Sequence, residues 1–317
     1  MMKPIHVAKD STYGLFCRRE QPLDRTGLLY RLFAAVACLI ALCAPGHAAA
    51  GTVSPIQSTD QPFDLEIVAP VQLAGSDAQA ADFQTNDLPL ITDVVEESLS
   101  EMSSLNDVSS ITLDPNELIL DAEANVRVYF IGEGAGYHNT LGYYTGDPSS
   151  ITAGIENTDA QLIFPDASSS TSYLGDTTNA VRTESAPLLA GDFVDLGLQD
   201  AGTQLNFFLI ANGANGGTNL YTADAALNPD GTDHFVSLAM TAIVDSPYLV
   251  IGVEDLYGGG DRDYNDLVFV VDIGYENVAA LVAATVPLPL SIYAVFGMLA
   301  YLLVFRIRKR ARPEGRA

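Results

Sequence analysis

The sequence of 317 residues lacks tryptophan, contains three cysteines, and has no lysine between residues 51 and 285. That span holds 36 acidic residues and three arginines, so its net charge is −33. A surface with this charge repels the phosphates of nucleic acids and the head groups of anionic membranes, and it attracts cations, divalent ones most. The composition therefore excludes nucleic acid as a partner and favours a cation.

The first 50 residues have the order of features typical of a secretory signal peptide. Six basic residues precede an uncharged apolar run at residues 32–44, and Ala48 and Ala50 occupy the two positions that signal peptidase recognises. The run of 13 residues is too short to span a membrane. The alternative, a buried helix of a cytosolic domain, explains neither the basic flank nor the alanines. We therefore predict that residues 1–50 are removed on export.

All three cysteines, Cys17, Cys38 and Cys43, precede the predicted cleavage site. Leu42 rather than a small residue precedes Cys43, which argues against a lipoprotein cleavage box. The mature chain therefore contains no cysteine. This excludes disulfides, a thiolate nucleophile and zinc bound by cysteine.

The carboxyl-terminal segment predicts a transmembrane helix. Residues 286–305 are 20 positions without a charge, and an arginine-rich tail follows at residues 306–312. A helix of this length, at ~1.5 Å per residue, crosses the ~30 Å hydrocarbon core of a bilayer. The basic tail favours a cytoplasmic carboxyl terminus, which leaves the acidic region outside.

The start of this span carries a proline motif, Val286, Pro287, Leu288 and Pro289. Over residues 284–312, the order of motif, apolar helix and basic tail resembles the exosortase sorting signals of the PEP-CTERM type, most closely the VPLPA-CTERM variant, although Leu290 replaces the usual alanine. The resemblance implies cleavage by an exosortase-like sorting peptidase, and transit from an inner-membrane intermediate to the cell surface or extracellular matrix. An uncleaved tail anchor is the alternative.

Residues 51–123 predict an acidic linker with one short helix. Polar residues dominate its first part, and four prolines, Pro55, Pro62, Pro70 and Pro89, interrupt any long element. Apolar residues at helical spacing from Leu88 to Leu105 predict a short amphipathic helix.

Residues 124–278 predict one all-β domain. Val126, Val128 and Phe130 alternate with Arg127, Tyr129 and Ile131, which predicts a strand. Further strands are predicted at Ala160–Phe164, Leu205–Ala211, His234–Ala242, Tyr248–Val253 and Leu267–Ile273. Many short strands separated by turn residues predict an antiparallel β-sandwich, jelly-roll or immunoglobulin-like. About 155 residues are an ordinary size for such a domain.

One stretch, residues 252–271, concentrates candidate metal ligands between two apolar strands. They are Glu254, Asp255, Asp261, Asp263, Asn265 and Asp266. Carboxylates at alternate positions of a tight loop bring several oxygens to one point, and calcium prefers six to eight oxygen ligands at ~2.3–2.6 Å. Gly258–Gly260 provide the backbone freedom to fold the loop back toward Glu254. The stretch therefore predicts a calcium (Ca2+) site.

The spacing is not that of an EF-hand, because Asp266 occupies the position that requires glycine. Asp272 lies where an EF-hand has its bidentate acid, but the predicted strand between them would carry Asp272 ~20 Å from Asp266. Asp272 is therefore not included among the candidate metal ligands. The alternative for the whole loop is a solvated acidic turn with capping hydrogen bonds. Five carboxylates packed together would repel one another, however, and Arg262 supplies a single positive charge.

The loop also resembles a known family. Glu254 and Asp255, a glycine-rich turn, then Asp261, Asp263, Tyr264, Asn265, Asp266 and Phe269, are similar to the carboxyl-terminal signature of the DUF4114 domain of secreted and surface bacterial proteins. The resemblance covers about 130 residues, including residues 209–212, and the loop is its specific part. It implies a β-rich, calcium-dependent module without an established catalytic activity.

Other features have structural explanations. Gly132–Gly136 predicts a hairpin turn, because no lysine follows as in a phosphate loop. His138 and His234 are the histidines left after processing, and neither a Gly-x-Ser-x-Gly motif nor a zinc spacing accompanies them. Tyrosines that could form a sugar-stacking face, or pack between strands, are Tyr137, Tyr143, Tyr144, Tyr173, Tyr221 and Tyr257.

These observations predict a non-catalytic, calcium-stabilised protein of the cell surface or extracellular matrix, with a role in adhesion or the biofilm matrix. Its partners would be signal peptidase, the sorting peptidase, the membrane before processing, and surface proteins or polysaccharide. One alternative is a carbohydrate-binding module for exopolysaccharide. Another is a secreted hydrolase that uses two carboxylates, which requires an acid and a base facing each other across a cleft.

Overall fold

The computed structural model describes residue 57 and residues 61–99, 111–170, 180–240, 243 and 245–285. The predicted signal peptide with Ala48 and Ala50, the sorting motif at residues 286–289 and the transmembrane helix at residues 286–305 lie outside these ranges. Within them, no helix reaches the length and apolarity that a membrane span requires.

The described residues form ten strands in two antiparallel sheets. The strands are β1 (Ile111–Leu113), β2 (Ala124–Gly132), β3 (Thr140–Thr145), β4 (Gln161–Phe164), β5 (Phe193–Gln199), β6 (Leu205–Ala211), β7 (Asn219–Thr222), β8 (Phe235–Ala239), β9 (Tyr248–Val253) and β10 (Leu267–Asp272). One sheet has six strands in the order β1-β8-β9-β10-β2-β5, and the other has four in the order β4-β3-β6-β7. The predicted all-β, antiparallel, sandwich-like architecture is confirmed.

Side chains from both sheets form the central core. Phe207 on β6 packs against Phe269 on β10 with ring centroids 5.2 Å apart. Phe130 on β2 meets Phe164 on β4 at 6.1 Å. Strand β6 is buried at every position, which explains why its sequence is apolar except for Asn206 and does not alternate.

A helical layer covers the outer face of the six-stranded sheet. It consists of α1 (Ala78–Asp82), a π-helical turn (Phe83–Asp87) and α2 (Leu88–Ser98). Phe83 stacks on Tyr129 of β2 with ring centroids 3.8 Å apart. Both alternating sets of β2 side chains are therefore buried, one between the sheets and the other beneath the helices.

The predicted helix from Leu88 to Leu105 is confirmed over α2. Ile91, Val94 and Val95 are buried against the sheet, as the spacing requires, whereas Leu90 is 44% exposed. Residues 100–110 lie outside the described ranges. A third helix, α3 (Tyr275–Thr285), follows β10.

The prediction of an exposed linker is wrong for residues 61–99 and 111–123. Leu65, Val71, Leu118 and Leu120 are buried in the core clusters. The backbone also pairs with the sheets, since Val68 N donates to Leu162 O at 3.0 Å and Gln72 N donates to Phe193 O at 2.8 Å. Prolines and polar residues interrupt any regular spacing of apolar residues in this segment. Single apolar residues nevertheless pack against the edges of both sheets.

The prediction of a hairpin turn at Gly132–Gly136 is also wrong. Strand β2 belongs to the six-stranded sheet and β3 to the four-stranded sheet, so this connection crosses between sheets. Gly134 N donates to Asn265 O at 2.9 Å, and a Cβ at Gly134 would overlap the Asn265 side chain. The glycine is needed because the crossing chain runs against the predicted ligand loop.

Arg127 joins the helical layer to the sheet. Its guanidinium donates to Asp195 Oδ1 at 2.6 Å and to Asp77 Oδ2 at 2.8 Å, and it lies 3.9 Å from the centroid of Phe193. Asp77 is also the N-cap of α1, because its carboxylate accepts from Ala80 N at 2.7 Å. Burial opposes ionisation of Asp77, but the bonds from Arg127 and Ala80 outweigh it and lower its pKa below 3.8.

Asp77→Asn tests this contact, since asparagine remains a good N-cap but removes the charge and one of the two oxygens that accept from Arg127. Because the folded-state pKa is lowered, the stabilisation is present above the unfolded pKa and is lost as the pH falls through the folded value. The Asp77 side chain is 39% exposed and therefore screened, so we expect a loss of about 0.5–1 kcal/mol at pH 7. Measured by urea unfolding, the difference in unfolding free energy between wild type and Asp77→Asn should disappear as the pH falls from about 5 to about 2.

The matched control is Asp93→Asn, which removes an exposed charge from α2. It should change the unfolding free energy by a few tenths of a kcal/mol at most. A loss in Asp77→Asn that stays constant across the pH range would contradict the assigned role of the Asp77 charge.

Candidate metal centre

The predicted ligand loop, residues 254–266, connects β9 to β10 at one end of the six-stranded sheet. Glu254 N donates to the carbonyl of His234 at 2.9 Å, so the ladder between β8 and β9 continues into the loop. Val253 and Asn265 form a bridge across its base. The sheet therefore anchors both ends of the loop and limits the positions of its side chains.

Three of the six predicted ligands converge. Glu254, Asp261 and Asp263 each place one carboxylate oxygen within 4.8 Å of the other two. Oxygens bound to one calcium ion lie at most about 5 Å apart, which is twice the metal–oxygen distance. Glu254 and Asp263 are 1% and 3% exposed, whereas Asp261 is exposed. The spacing suits a single ion that enters from the side of Asp261.

Glu254 has a buried oxygen that lacks a hydrogen-bond donor. Its Oε1 accepts from Tyr264 N at 3.2 Å, whereas Oε2 is buried without a partner. Burial, together with the charges of Asp266, Asp261 and Asp263, raises the pKa of Glu254 to about 7. An unsatisfied buried acceptor costs about 1–3 kcal/mol. A cation among the three carboxylates would satisfy Oε2 and keep Glu254 ionised.

Gly260 makes room for this carboxylate. Its φ is +42°, and a Cβ at this position would overlap Glu254 Oε2. The neighbouring Gly258 also has a positive φ, of +86°, but a Cβ there would meet nothing within 4 Å. Both positions need glycine because of their positive φ, as the sequence predicted. Gly260 is needed for a second reason, since any side chain there would overlap Glu254.

Positive charge is scarce near the triad. Arg127 pairs with Asp77 and Asp195, and Arg182 pairs with Asp192. Arg262 is exposed, with a φ of +64°. The three arginines of residues 51–285 therefore leave the negative charge of the triad to be balanced by protons or by a bound cation.

The other three predicted ligands face elsewhere. Asp266 Oδ2 accepts from Asp255 N at 2.8 Å, and Asp255 Oδ2 accepts from Asn139 Nδ2 at 2.7 Å. Asn265 donates its side-chain amide to Leu99 O at 3.3 Å and its backbone N–H to Asp263 Oδ1 at 3.3 Å. The structure thus divides the six residues: Asp255 is bonded to Asn139 at the end of the β2–β3 crossing, Asp266 is bonded back to Asp255, and the Asn265 side chain lies between Leu99 and Gly134.

Three polar residues at this end of the sheets were missed in the sequence: Glu133, Asn139, which bonds to Asp255, and Asp166, which contacts His138. Glu133 follows β2, Asn139 precedes β3 and Asp166 follows β4, so chain segments far apart in the sequence meet here. The available signal was an acid in a glycine-rich segment directly after a buried strand. The position of Glu133 relative to the loop could not be inferred, because the sequence does not show that the chain crosses between sheets here.

His234 contacts the backbone at the start of the loop. Its Nδ1 lies 2.8 Å from Glu254 O and its Nε2 lies 2.9 Å from Asp230 Oδ2. The ring also stacks on Tyr221 with centroids 3.7 Å apart. Asp230 Oδ2 accepts a second bond, from Gly258 N at 2.7 Å. Asp230 and His234 therefore hold the first part of the loop, including the backbone of Glu254, in place.

The tyrosines separate into buried and exposed groups. Tyr143, Tyr144 and Tyr221 are buried in the core, as strand packing predicted. Tyr137 and Tyr257 are 41% and 67% exposed. Burial raises the pKa of Tyr221 to about 12, and the nearby Tyr137 and Tyr257 add to this effect. Tyr173 lies outside the described residues. Two exposed tyrosines, Tyr257 within the loop and Tyr137 just after Gly136, therefore remain in place of the broad face considered from the sequence.

Comparison with known families gives one match. Residues 200–274 match a domain of unknown function, DUF4114. The matched segment contains β6 to β10 and all six predicted ligands, and it is shorter than the resemblance inferred from the sequence. No curated protein and no solved structure matches the chain.

Proposed function

We propose that this protein is an exported, non-catalytic, calcium-binding protein of the cell surface or extracellular matrix, which an exosortase-like system sorts and which acts in adhesion or the biofilm matrix. The observation that carries the proposal is the convergence of Glu254, Asp261 and Asp263 around a buried oxygen that lacks a donor. Calcium in this loop would stabilise the sandwich and cancel part of its negative charge.

The chemistry of the donors favours calcium. All three converging groups are carboxylates, which are hard oxygen ligands, and no cysteine or histidine belongs to the triad. Calcium tolerates irregular coordination with backbone carbonyls and waters as additional ligands, whereas magnesium requires a near-ideal octahedron. A loop with one exposed ligand and a flexible glycine-rich turn suits the more tolerant ion.

Direct titration tests the calcium site. Calorimetry on the purified full-length chain should show calcium binding with a dissociation constant of ~10⁻⁴–10⁻³ M, the range of extracellular modules. Asp261→Asn combined with Asp263→Asn should abolish this phase, whereas Asp233→Asn, an exposed acid nearby, should preserve it. A titration indistinguishable between wild type and the double variant would reject the proposed site.

Cell fractionation tests the sorting part of the proposal. The wild-type chain should reach the cell surface in a shortened form, because the sorting peptidase removes residues after the proline motif. Pro287→Ala combined with Pro289→Ala should leave a longer form in the membrane. Equal sizes and locations of the two chains would favour an uncleaved tail anchor and leave the calcium site unaffected.

Carbohydrate binding is the second candidate, and the exposure of Tyr137 and of Tyr257 in the loop favours it. Exposed aromatic rings stack on sugar rings, and Leu256, next to Tyr257, is also 46% exposed. Co-sedimentation with purified exopolysaccharide that is lost in Tyr257→Ala but retained in Asp233→Asn would support this function. If the wild-type protein does not co-sediment with the polysaccharide, carbohydrate binding is rejected as a function.

A hydrolase is less compatible with the burial of its candidate acids. Burial raises the pKa of Glu254 to about 7 and that of Glu133 to about 8, as a general acid requires. However, these side chains belong to residues that are 1% and 8% exposed, so a sugar ring does not reach them. Glycosidase activity that disappears in Asp263→Ala and persists on addition of calcium would overturn this assignment.

A further inference from the structure

The tip of the ligand loop is exposed, whereas its base is buried. Leu256, Tyr257 and Asp261 are exposed, and Tyr257 most of all, at 67%. Glu254 and Asp263, the other two members of the triad, are buried. The protein therefore encloses the triad on one side and leaves it open to solvent on the side of Asp261.

A tight turn brings an exposed apolar side chain next to the triad. Gly259 N donates to Leu256 O at 2.9 Å, so the chain reverses its direction here. A Cβ placed on Gly260 would lie 3.6 Å from Leu256 Cβ and would overlap Glu254 Oε2. Leu256 and the Glu254 carboxylate therefore meet at Gly260, and Asp261 is its immediate neighbour in the chain.

The triad by itself does not fill the coordination sphere of calcium. The ion takes about six to eight oxygen ligands, and each triad member brings one oxygen to the point of convergence. In the part of the chain that the structure describes, no further histidine, cysteine or acid joins this group. Glu254 Oε1 and Asp263 Oδ1 already accept backbone N–H bonds. At least about three positions therefore remain for backbone carbonyls, waters or an external ligand, and the open side is that of Asp261.

The charge of the loop decides which class of external ligand suits this open side. Residues 254–266 contain five acids and one arginine, so the loop remains negative after one divalent ion binds. Residues 51–285 as a whole have a net charge of −33. Such a surface repels ligands that carry carboxylate, sulfate or phosphate groups. A neutral ligand with hydroxyl oxygens meets no such repulsion.

A sugar ring presents both hydroxyl groups and an apolar face. Two adjacent hydroxyls can replace two waters on a calcium ion, because they are oxygen donors of the kind that calcium prefers. The C–H face of the same ring packs against an exposed aromatic side chain such as that of Tyr257. The exposed tip of the loop therefore suits a neutral sugar better than a charged one.

We propose that the tip of the loop, formed by Leu256, Tyr257 and Asp261, binds a neutral sugar whose hydroxyls occupy the open positions of the calcium ion. The inference rests on the proposed calcium site and names the ligand class of that same site. It differs from stacking on tyrosine alone, because it makes sugar binding dependent on calcium.

Terbium luminescence tests the inference. Terbium replaces calcium in oxygen sites, and its luminescence lifetimes in H2O and D2O count the waters on the bound ion. The signal of the triad is the part that Asp261→Asn combined with Asp263→Asn removes from the full-length chain. We expect about two or three waters on this ion, of which an excess of a neutral methyl glycoside should displace about two. The probes are the methyl glycosides of mannose, galactose, glucose and fucose.

Two tyrosine variants test the tip of the loop. Tyr257→Ala should weaken binding of the displacing glycoside by about three- to tenfold, because the apolar face of the sugar loses its contact. The number of waters on the ion without sugar should stay the same, since the phenol ring is not a metal ligand. Tyr275→Ala, which removes a tyrosine that is 50% exposed at the start of α3, is the matched control and should bind like wild type.

The outcomes separate this inference from the proposed function. No ion bound at the triad would overturn both. An ion at the triad that carries no water, or whose waters none of the four glycosides displaces, would overturn the sugar site and leave the calcium site standing. Equal glycoside binding in calcium and in chelator, measured by calorimetry, would assign the sugar to tyrosine stacking alone and overturn the inference. Stronger displacement by methyl glucuronide than by every neutral glycoside would overturn the choice of a neutral ligand.

Discussion

Calcium at about a hundredfold excess over its dissociation constant should raise the melting temperature of the full-length chain by about 5–10 °C. Binding to the native state alone stabilises it by RT ln(1 + [L]/Kd), which is ~2.7 kcal/mol at this excess. Each kcal/mol shifts the melting temperature of a domain of this size by about 2–4 °C. Magnesium should give a smaller rise from the triad, because it fits an irregular loop less well.

The same melt distinguishes ion binding from general screening. At fixed ionic strength, screening of the acidic surface is constant, and a specific effect remains. Asp261→Asn combined with Asp263→Asn should eliminate the calcium-dependent rise. Without calcium, the double variant should melt at or above the wild-type temperature, because two like charges near Glu254 are removed. A calcium-dependent rise in the double variant equal to that of wild type would reduce the loop to a capped acidic turn.

Gly260→Ala should weaken calcium binding by at least about 100-fold, since loss of a direct ligand should cost more than the 10–100-fold typical of supporting residues. The added Cβ would overlap Glu254 Oε2 and push this carboxylate out of the triad. The left-handed backbone of Gly260 adds about 1–2 kcal/mol of strain to any side chain. Calorimetry on the full-length variant would measure the affinity, and its melting temperature in chelator would report the strain.

Gly258→Ala is the matched control. Gly258 also has a positive φ, so alanine there carries similar backbone strain, but its Cβ would meet nothing within 4 Å. Its backbone N–H, which donates to Asp230, is retained. Both variants should therefore lose similar stability in chelator, and only Gly260→Ala should lose calcium affinity. Equal calcium affinities in the two variants would show that Glu254 is not a ligand.

Some strands were predictable because their sequences are almost entirely apolar and lie between turn residues. Leu205–Ala211 and Tyr248–Val253 have the same boundaries in the structure as in the prediction. Strands β1, β3, β5 and β7 were missed. Strand β1 has three residues, the others contain glycine or polar residues, and β3 holds Gly142 against the ring of Phe208. Their strand conformation comes from pairing with β8, β2 and β6, which local composition does not show.

The helical layer shows a similar limit. The helix over Leu88–Ser98 was predicted from its apolar spacing, but the surface that it covers was not. Its contact with Tyr129 and its neighbours on β2 explains why both faces of that strand are apolar. The residues predicted as linker contribute single apolar side chains to several clusters, and such scattered contributions leave no periodic pattern.

The amino-acid sequence alone established the acidic character of residues 51–285, the scarcity of cations among them, and a glycine-rich loop with six candidate oxygen ligands. These properties are local or additive, so composition and spacing are sufficient to reveal them. Tertiary structure decided how the ligands are grouped: Glu254, Asp261 and Asp263 converge, while Asp255 is bonded to Asn139 and Asp266 to Asp255. The strand ladder continues to Glu254, so the side chains of Glu254 and Asp255 point in opposite directions, and Asn139 is brought to Asp255 only by the packing of the sheets.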